Sequence, residues 1–331
     1  MKQKILVTRQ LSSDLIDRLL QYFDVELNTG KKYSTTELIQ ATQGKQGVLL
    51  AGGEKIDASA AAQLQGLKAI CISAAGYNNV DVDALTRAGI IVTNAPGPAD
   101  ETVADFAWGA LIMLARKAPE AERWLRQGNW TRSAGSRFFG TDVYGKTLGI
   151  IGMGRIGQAI ARRSVGFNMP VYYYNRNRLT EDIENVCRAT YLSKQELLVA
   201  SDFLVLALPY TKANHHLIGK DELSRMKPSA MLINIARGGL IDESALAVAL
   251  AQHTLAGAAL DVFEEEPVVY PALLDLPNVL LTPHIAGATE KAQHGLAAVA
   301  VDNLVAALGY GPDAYHPAAI LNPAVLPGYH F

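Results

Sequence analysis

Three sets of residues in this chain have types and spacings that could do chemistry. The first is Gly152-Met153-Gly154-Arg155-Ile156-Gly157, a GxGxxG. It follows the apolar run Leu148–Ile151 and leads into a stretch with Ile156, Ile160 and Ala161 at helical spacing. Gly152 suits the tight turn, Gly154 lets the backbone approach a pyrophosphate with no Cβ in the way, and Gly157 lets a helix pack closely on a strand. The first N–H groups of that helix have no internal partners, so its N-terminus suits a diphosphate. Glycine turns are common, but a buried strand before and a helix after make this one a dinucleotide site. The second set, Asn175-Arg176-Asn177-Arg178, follows the predicted strand Val171–Tyr174. An NAD-binding unit carries an Asp or Glu near this point, roughly 20 residues on, for the ribose 2′-OH. No carboxylate stands there. A guanidinium binds a 2′-phosphate through paired N–H donors, so NADP(H) preference is expected, with Arg176 the leading contact. The bland alternative is a solvated basic loop. The third set is Arg237, Asp261 and His284, each just past a predicted strand: Met231–Ile235, Gly257–Leu260 and Val279–Leu281. Ligands of parallel sheets sit outside the carboxyl ends of strands, so the convergence matters more than any one residue.

The elements that must position these groups alternate along the chain. Lys4–Thr8, Val25–Leu27, Gly47–Leu50, Lys68–Ile72 and Gly89–Val92 read as strands. They alternate with helical patterns at Ser12–Tyr22, Thr35–Thr42, Ala58–Leu64 and Val82–Ala88. Such alternation implies a parallel sheet covered on both faces, and this stretch carries no second glycine fingerprint. Asn94-Ala95-Pro96-Gly97-Pro98 is turn chemistry and reads as a hinge. Glu101–Arg126 reads as one long helix, 131–142 as an irregular arm able to meet a second subunit, and Ala292–Leu308 as another long helix.

Composition narrows the function classes. With 331 residues, 49% hydrophobic and only 19% charged, the chain can bury more than one core. A formal net charge of −2 without a basic block argues against nucleic acid. No apolar run reaches about 18 residues, so no membrane partner is expected. MKQKILVTRQ lacks a secretory h-region, and a cytoplasmic protein is expected. Cys71 and Cys187 read as buried apolar fillers. His215, His216, His253, His294, His316 and His330 have no setting comparable to that of His284. No clustered His/Cys/carboxylate spacing points to a metal.

Assembled, these residues resemble the D-isomer-specific 2-hydroxyacid dehydrogenases over nearly the whole chain. The family marks are GMGRIG (152–157), LPYTKANHHLI (208–218), MKPSAMLINIARGGLIDESAL (226–246), AALDVFEEEP (258–267) and NVLLTPHIAGAT (278–289). Within the family the chain looks most like the bacterial glyoxylate/hydroxypyruvate/2-ketogluconate reductases, through GYNNVDVDAL (76–85), ETVAD (101–105), FFGTDVYGKTLGIIGMGRIG (138–157) and GFNMPVYYYNRNR (166–178). One departure is Asn78, where those relatives usually have Asp. The resemblance implies an α/β fold of two Rossmann-like lobes with parallel sheets, the nucleotide-binding lobe (99–289) inserted into a substrate lobe (1–98 and 290–331). It also implies a homodimer through the nucleotide lobe.

The resemblance further implies NAD(P)H-dependent reduction of a small 2-oxo acid (glyoxylate, hydroxypyruvate or 2-ketogluconate) to the D-2-hydroxy acid. That reaction needs a held carboxylate, a polarised carbonyl and a proton for the nascent alkoxide. By family match Arg237 is the substrate anchor, His284 the general acid/base, and Glu266 the carboxylate on the far ring nitrogen that fixes the tautomer. Glu266 otherwise reads as part of the solvated run Glu264-Glu265-Glu266. Ala75-Gly76 resembles the family's backbone site for the substrate carboxylate. Asp261 is expected at the nicotinamide carboxamide, although a helix-capping role fits its type equally well. Further cofactor contacts are expected from Arg155, Ile156, Asn175, Pro209, Ile235, Ala236, Gly287 and Thr102. Two rivals remain. A 3-phosphoglycerate dehydrogenase would carry an acidic residue at the second strand, absent here, and its long forms a regulatory domain with no counterpart in these residues. A nucleotide-sensing binding protein could lose Arg237 or His284, and this chain keeps both.

Overall fold

The computed structural model describes residues 2–28, 30 and 32–326, so His330 lies outside the described residues. The chain divides into two compact units, residues 1–99 with 289–331, and residues 100–288. Each is a parallel sheet with alternating helices, the α/β class expected.

In the first unit the strand order is β2-β1-β3-β4-β5, with β1 Gln3–Val7, β2 Phe23–Leu27, β3 Gly47–Leu50, β4 Ala69–Ile72 and β5 Ile91–Thr93. Leu6, Val48, Leu50, Ile70 and Ile72 pack with Leu38 and Leu85. Their strand neighbours Ile5, Val7, Leu49 and Cys71 pack with Leu15, Leu19, Val301 and Leu304, from the helices Ser13–Tyr22 and Glu290–Ala307. Burial on both faces is why these strands read as continuous apolar runs. Cys71 and Cys187 are both free and buried. Burial pushes the Cys71 thiol up to about 12, which suits a filler and not a nucleophile.

The second unit has the order β12-β11-β10-β9-β6-β7-β8. Its strands are β6 Leu148–Ile151, β7 Val171–Tyr174, β8 Ala189–Tyr191, β9 Phe203–Leu206, β10 Met231–Asn234, β11 Gly257–Leu260 and β12 Val279–Leu281. The chain starts at β6, runs outward to β8, then returns to β9 on the other side and runs outward to β12. The reversal between β6 and β9 is the switch point where such sheets bind ligands. The helix Asp100–Ala115 packs on the helix Arg155–Arg163 behind the glycine loop. Trp108 Nε1 donates to the Ile160 carbonyl (3.0 Å), and its ring stacks on Phe167 with centroids 4.6 Å apart.

The long helix expected over Glu101–Arg126 is two helices, Asp100–Ala115 and Ala118–Arg126. Lys117 takes a left-handed φ of 51°, and Pro119 sits in the first turn of the second helix, where its missing N–H costs nothing. No residue of the second helix is buried, so the apolar packing of the first ends at this break. Among the described residues no helix is long and apolar enough to cross a membrane.

Candidate active site

The glycine loop starts at the end of β6. Gly152 has φ +100°, and a Cβ there would lie 2.6 Å from the Ala207 carbonyl carbon, so only glycine fits. A Cβ on Gly157 would overlap the Gly152 carbonyl oxygen, whereas one on Gly154 would meet nothing within 4 Å. The two outer glycines are thus demanded by the fold. The middle one lies open beside the helix N-terminus, where Gly154 itself is the N-cap and offers no side-chain acceptor. An open backbone face at uncapped N–H groups fits the diphosphate of a dinucleotide. Asn175, at the end of β7, accepts from Met153 N–H through Oδ1 (2.8 Å), which ties the loop to the neighbouring strand.

The two arginines after β7 separate. Arg178 is paired bidentately with Glu184, Nε to Oε1 at 2.9 Å and Nη2 to Oε2 at 2.7 Å. Tyr173 also donates to Glu184 Oε1 (2.7 Å). Arg178 first, then Tyr173, hold the Glu184 carboxyl down to about 2, and burial first, with Glu184, pushes Tyr173 up to about 12. Arg178 is therefore committed to the fold. Arg176 is exposed and, among the described residues, has no carboxylate partner. Sequence reasoning missed Glu184, whose only signal was its place six residues after Arg178, on the helix Glu181–Cys187.

Strands β10, β11 and β12 are neighbours, so Arg237, Asp261 and His284 emerge side by side. His284 Nδ1 lies 2.8 Å from Glu266 Oε2, and Glu266 Oε1 accepts from Phe263 N–H (3.1 Å). The pair is partly open to solvent, with side chains 48% and 35% exposed. His284 has φ +54°, a left-handed backbone costing about 1–2 kcal/mol for a side-chain-bearing residue. Asp261 offsets that cost. It is 1% exposed, its carbonyl accepts from His284 N–H (2.8 Å), and its carboxylate accepts from Thr282 Oγ1 (2.7 Å), Ile285 N–H and Ala286 N–H (2.8 Å each). Asp261 thus builds the turn that carries His284, a role its sequence setting did not show.

Arg237 follows β10 in a turn shaped by Asn234. Asn234 is 1% exposed, donates to the Arg237 carbonyl (2.9 Å) and accepts from Ala236 N–H (3.0 Å). Burial lowers the Arg237 guanidinium from its ordinary range, and the charge of Glu266 opposes that shift. An arginine stays charged under either influence. A Cβ on Gly238 would overlap the backbone of Phe263 and Glu264, so this glycine lets the β10 and β11 loops touch. Neither Asn234 nor Gly238 was singled out from sequence.

Of the other expected contacts, Ile235 and Ala236 are each 7% exposed beside Arg237, and Gly287 follows the Asp261-held turn. Pro209 follows β9, and its carbonyl accepts from Asn214 Nδ2 (2.9 Å). Arg155 and Ile156 open the helix after the glycine loop, and Thr102 lies in the first turn of Asp100–Ala115. Ala75 and Gly76 belong to the first unit, in the turn after β4. There Asn94 Nδ2 donates to the Ala75 carbonyl (2.7 Å), and Asn78 is exposed.

The chain is similar to known proteins in sequence and in fold. Residues 108–286 match the family model for the NAD-binding domain of D-isomer-specific 2-hydroxyacid dehydrogenases. A glyoxylate reductase of Thermococcus gammatolerans is 44% identical over 311 residues, 92% of this chain and 93% of that protein. A glyoxylate/hydroxypyruvate reductase B of Shigella boydii is 41% identical over 310 residues, 93% of this chain and 95% of that protein. Among solved structures, an NADPH-dependent glyoxylate/hydroxypyruvate reductase of Sinorhizobium meliloti, in complex with NADP and malonate, superposes with a TM-score of 0.87. It is 32% identical, with 100% of both chains covered.

Proposed function

The chain belongs to the D-isomer-specific 2-hydroxyacid dehydrogenases and reduces a 2-oxo acid to the D-2-hydroxy acid, and from that premise we propose glyoxylate or hydroxypyruvate as substrate and NADPH as preferred reductant. The observation that carries this reading is the 2.8 Å contact between His284 Nδ1 and Glu266, with Arg237 in the loop after β10, the strand next to β11 from which the chain runs to Glu266. A reduced nicotinamide dinucleotide, which the Gly152–Gly157 loop would hold, would supply the hydride. Arg237 holds the substrate carboxylate through its planar fork and draws electron density from the neighbouring carbonyl. His284, when protonated, can give the carbonyl oxygen the Nε2 proton that completes the hydroxyl, leaving neutral imidazole. Glu266 keeps Nδ1–H in place, so the ring turns Nε2 toward substrate in both protonation states. Buffer restores the proton.

The reading of NADPH rests on the end of β7. No carboxylate stands among residues 175–178 to repel a 2′-phosphate. Both arginines are exposed, but Arg178 is tied to Glu184, whereas Arg176 has no carboxylate partner among the described residues. Oxidation of NADPH and of NADH with glyoxylate, hydroxypyruvate and 2-ketogluconate gives the test. NADPH should have the higher kcat/KM, and Arg176→Ala should remove most of the difference, worth up to about 2–5 kcal/mol where the ion pair is desolvated. Equal use of both cofactors by the unaltered protein would overturn this reading. A homodimer is part of the same proposal. Trp130, Phe139 and Tyr144, around the arm 131–142, are 64%, 74% and 67% exposed, an apolar surface suited to a second copy. A monomeric mass by light scattering would remove it.

A further inference from the structure

Outside the catalytic triad, two histidines from the segment after β9 meet a carboxylate from the segment after β11. We propose that His215, His216 and Glu264 form a binding site for a divalent transition-metal ion of the zinc class. The proposal stands independently of the 2-oxo acid reaction. His216 Nε2 lies 2.9 Å and His215 Nε2 3.6 Å from Glu264 Oε1, and the three ligand atoms all lie within 4.8 Å of one another. Zinc bonds of about 2.0–2.2 Å at tetrahedral angles place ligand atoms roughly 3.4 Å apart. Enclosing one ion therefore needs the ligand atoms to draw closer and the two stacked rings to turn apart. Two imidazole nitrogens and one carboxylate oxygen favour zinc, cobalt or nickel over magnesium or calcium. The side chains are 44%, 37% and 31% exposed, so water can complete the coordination.

The surroundings hold the three ligands in this arrangement. The two imidazoles stack with centroids 3.8 Å apart and planes at 25°. Rotation of the rings about their Cβ–Cγ bonds would aim both in-plane lone pairs at one cation. His216 has φ +52°, and its N–H donates to the Gly239 carbonyl (2.9 Å). Tyr210 Oη lies 3.3 Å from His215 Nδ1, an outer partner on the far ring nitrogen of the kind that orients metal-bound histidines. A Cβ on Gly239 would come within 2.9 Å of the Tyr210 ring, so this glycine leaves room for that partner. Glu264 N–H donates to the buried Glu243 (2.9 Å), which fixes the third ligand's backbone. Glu264 also precedes Glu266 by two residues. A bound ion would therefore tie the His215-His216 segment to the one that orients the catalytic histidine.

The test uses the full chain freed of metal by chelator and dialysis. Zinc chloride is titrated by calorimetry and cobalt chloride by its visible ligand-field absorption, with magnesium chloride as control. One equivalent of zinc or cobalt should bind. His215→Gln, His216→Gln and Glu264→Gln should each weaken binding by about tenfold or more, and the triple variant should abolish it. His284→Gln should leave the affinity as it was, which separates this site from the catalytic pair. Thermal unfolding of each variant, all at partly exposed positions, verifies that the fold is intact. Absence of binding, affinities insensitive to the three substitutions, or loss of binding in His284→Gln would each overturn the proposal.

Discussion

The two halves of the seven-stranded sheet approach ligands by different means. On the β6–β8 side the loop offers backbone: three glycines, at two of which neighbouring backbone takes the space of a Cβ and at one of which that space is open. On the β10–β12 side the loops offer side chains, Arg237 and His284, each in a turn shaped by a buried neighbour, Asn234 and Asp261. Backbone recognition tolerates any side chain that does not intrude. Side-chain recognition needs a particular functional group at a particular angle. The first half should therefore fail sterically when altered, and the second chemically.

The largest expected effect lies in the chemical half. His284→Ala should lower kcat by about 10²–10⁴-fold, the contribution of a positioned acid, while the cofactor dissociation constant stays nearly unchanged. Rapid turnover by this variant would end the contrast. Next comes Arg237→Lys, which keeps the charge and loses the fork. Its kcat/KM should fall on the order of 10–10²-fold, again with cofactor affinity held.

The glycine loop should show the opposite pattern. Gly157→Ala places a methyl against the Gly152 carbonyl and should lower stability by about 1–3 kcal/mol, read in denaturant melts. Gly154→Ala has room in the protein and should melt normally while binding dinucleotide more weakly. Equal stability losses in both would break the division between glycines for the fold and glycine for the ligand. The smallest effect concerns pH. Glu184 titrates near 2 in the folded chain against an ordinary 4.5, so its stabilising share is complete above 4.5 and is lost as pH falls toward 2. The stability gap between the wild type and Glu184→Gln should narrow across that window, and a constant gap would mean the Arg178–Glu184 pair does not set it.

Much of the candidate site was legible in the sequence because its functional groups lie in short local patterns. A strand, a glycine turn and a helix lie within ten residues of one another, from Leu148 to Gly157, and local periodicity reports them. Arg237 and His284 stood out by type and by position after apolar runs. Glu266 did not, because an acidic run before proline looks the same whether it is solvated or aimed at a histidine 18 residues on. The helix break turns on one left-handed residue, Lys117, which residue type and apolar period do not report.

The sequence by itself determined the α/β class, the dinucleotide loop, the lack of a carboxylate after β7 and the functional groups available for catalysis. These depend on residue type and on periods of two or 3.6 residues, which short-range sterics impose. Only the tertiary structure decided that β10, β11 and β12 are neighbours, that Arg178 belongs to Glu184 while Arg176 does not, and that Asp261 holds up the His284 turn. It also decided that His215 and His216 meet Glu264, 48 residues further along the chain from His216. Strand order and side-chain pairing are set by burial and hydrogen bonding between segments far apart in the chain. No local pattern encodes which of several compatible partners will be adjacent, so that information exists only once the sheet has formed.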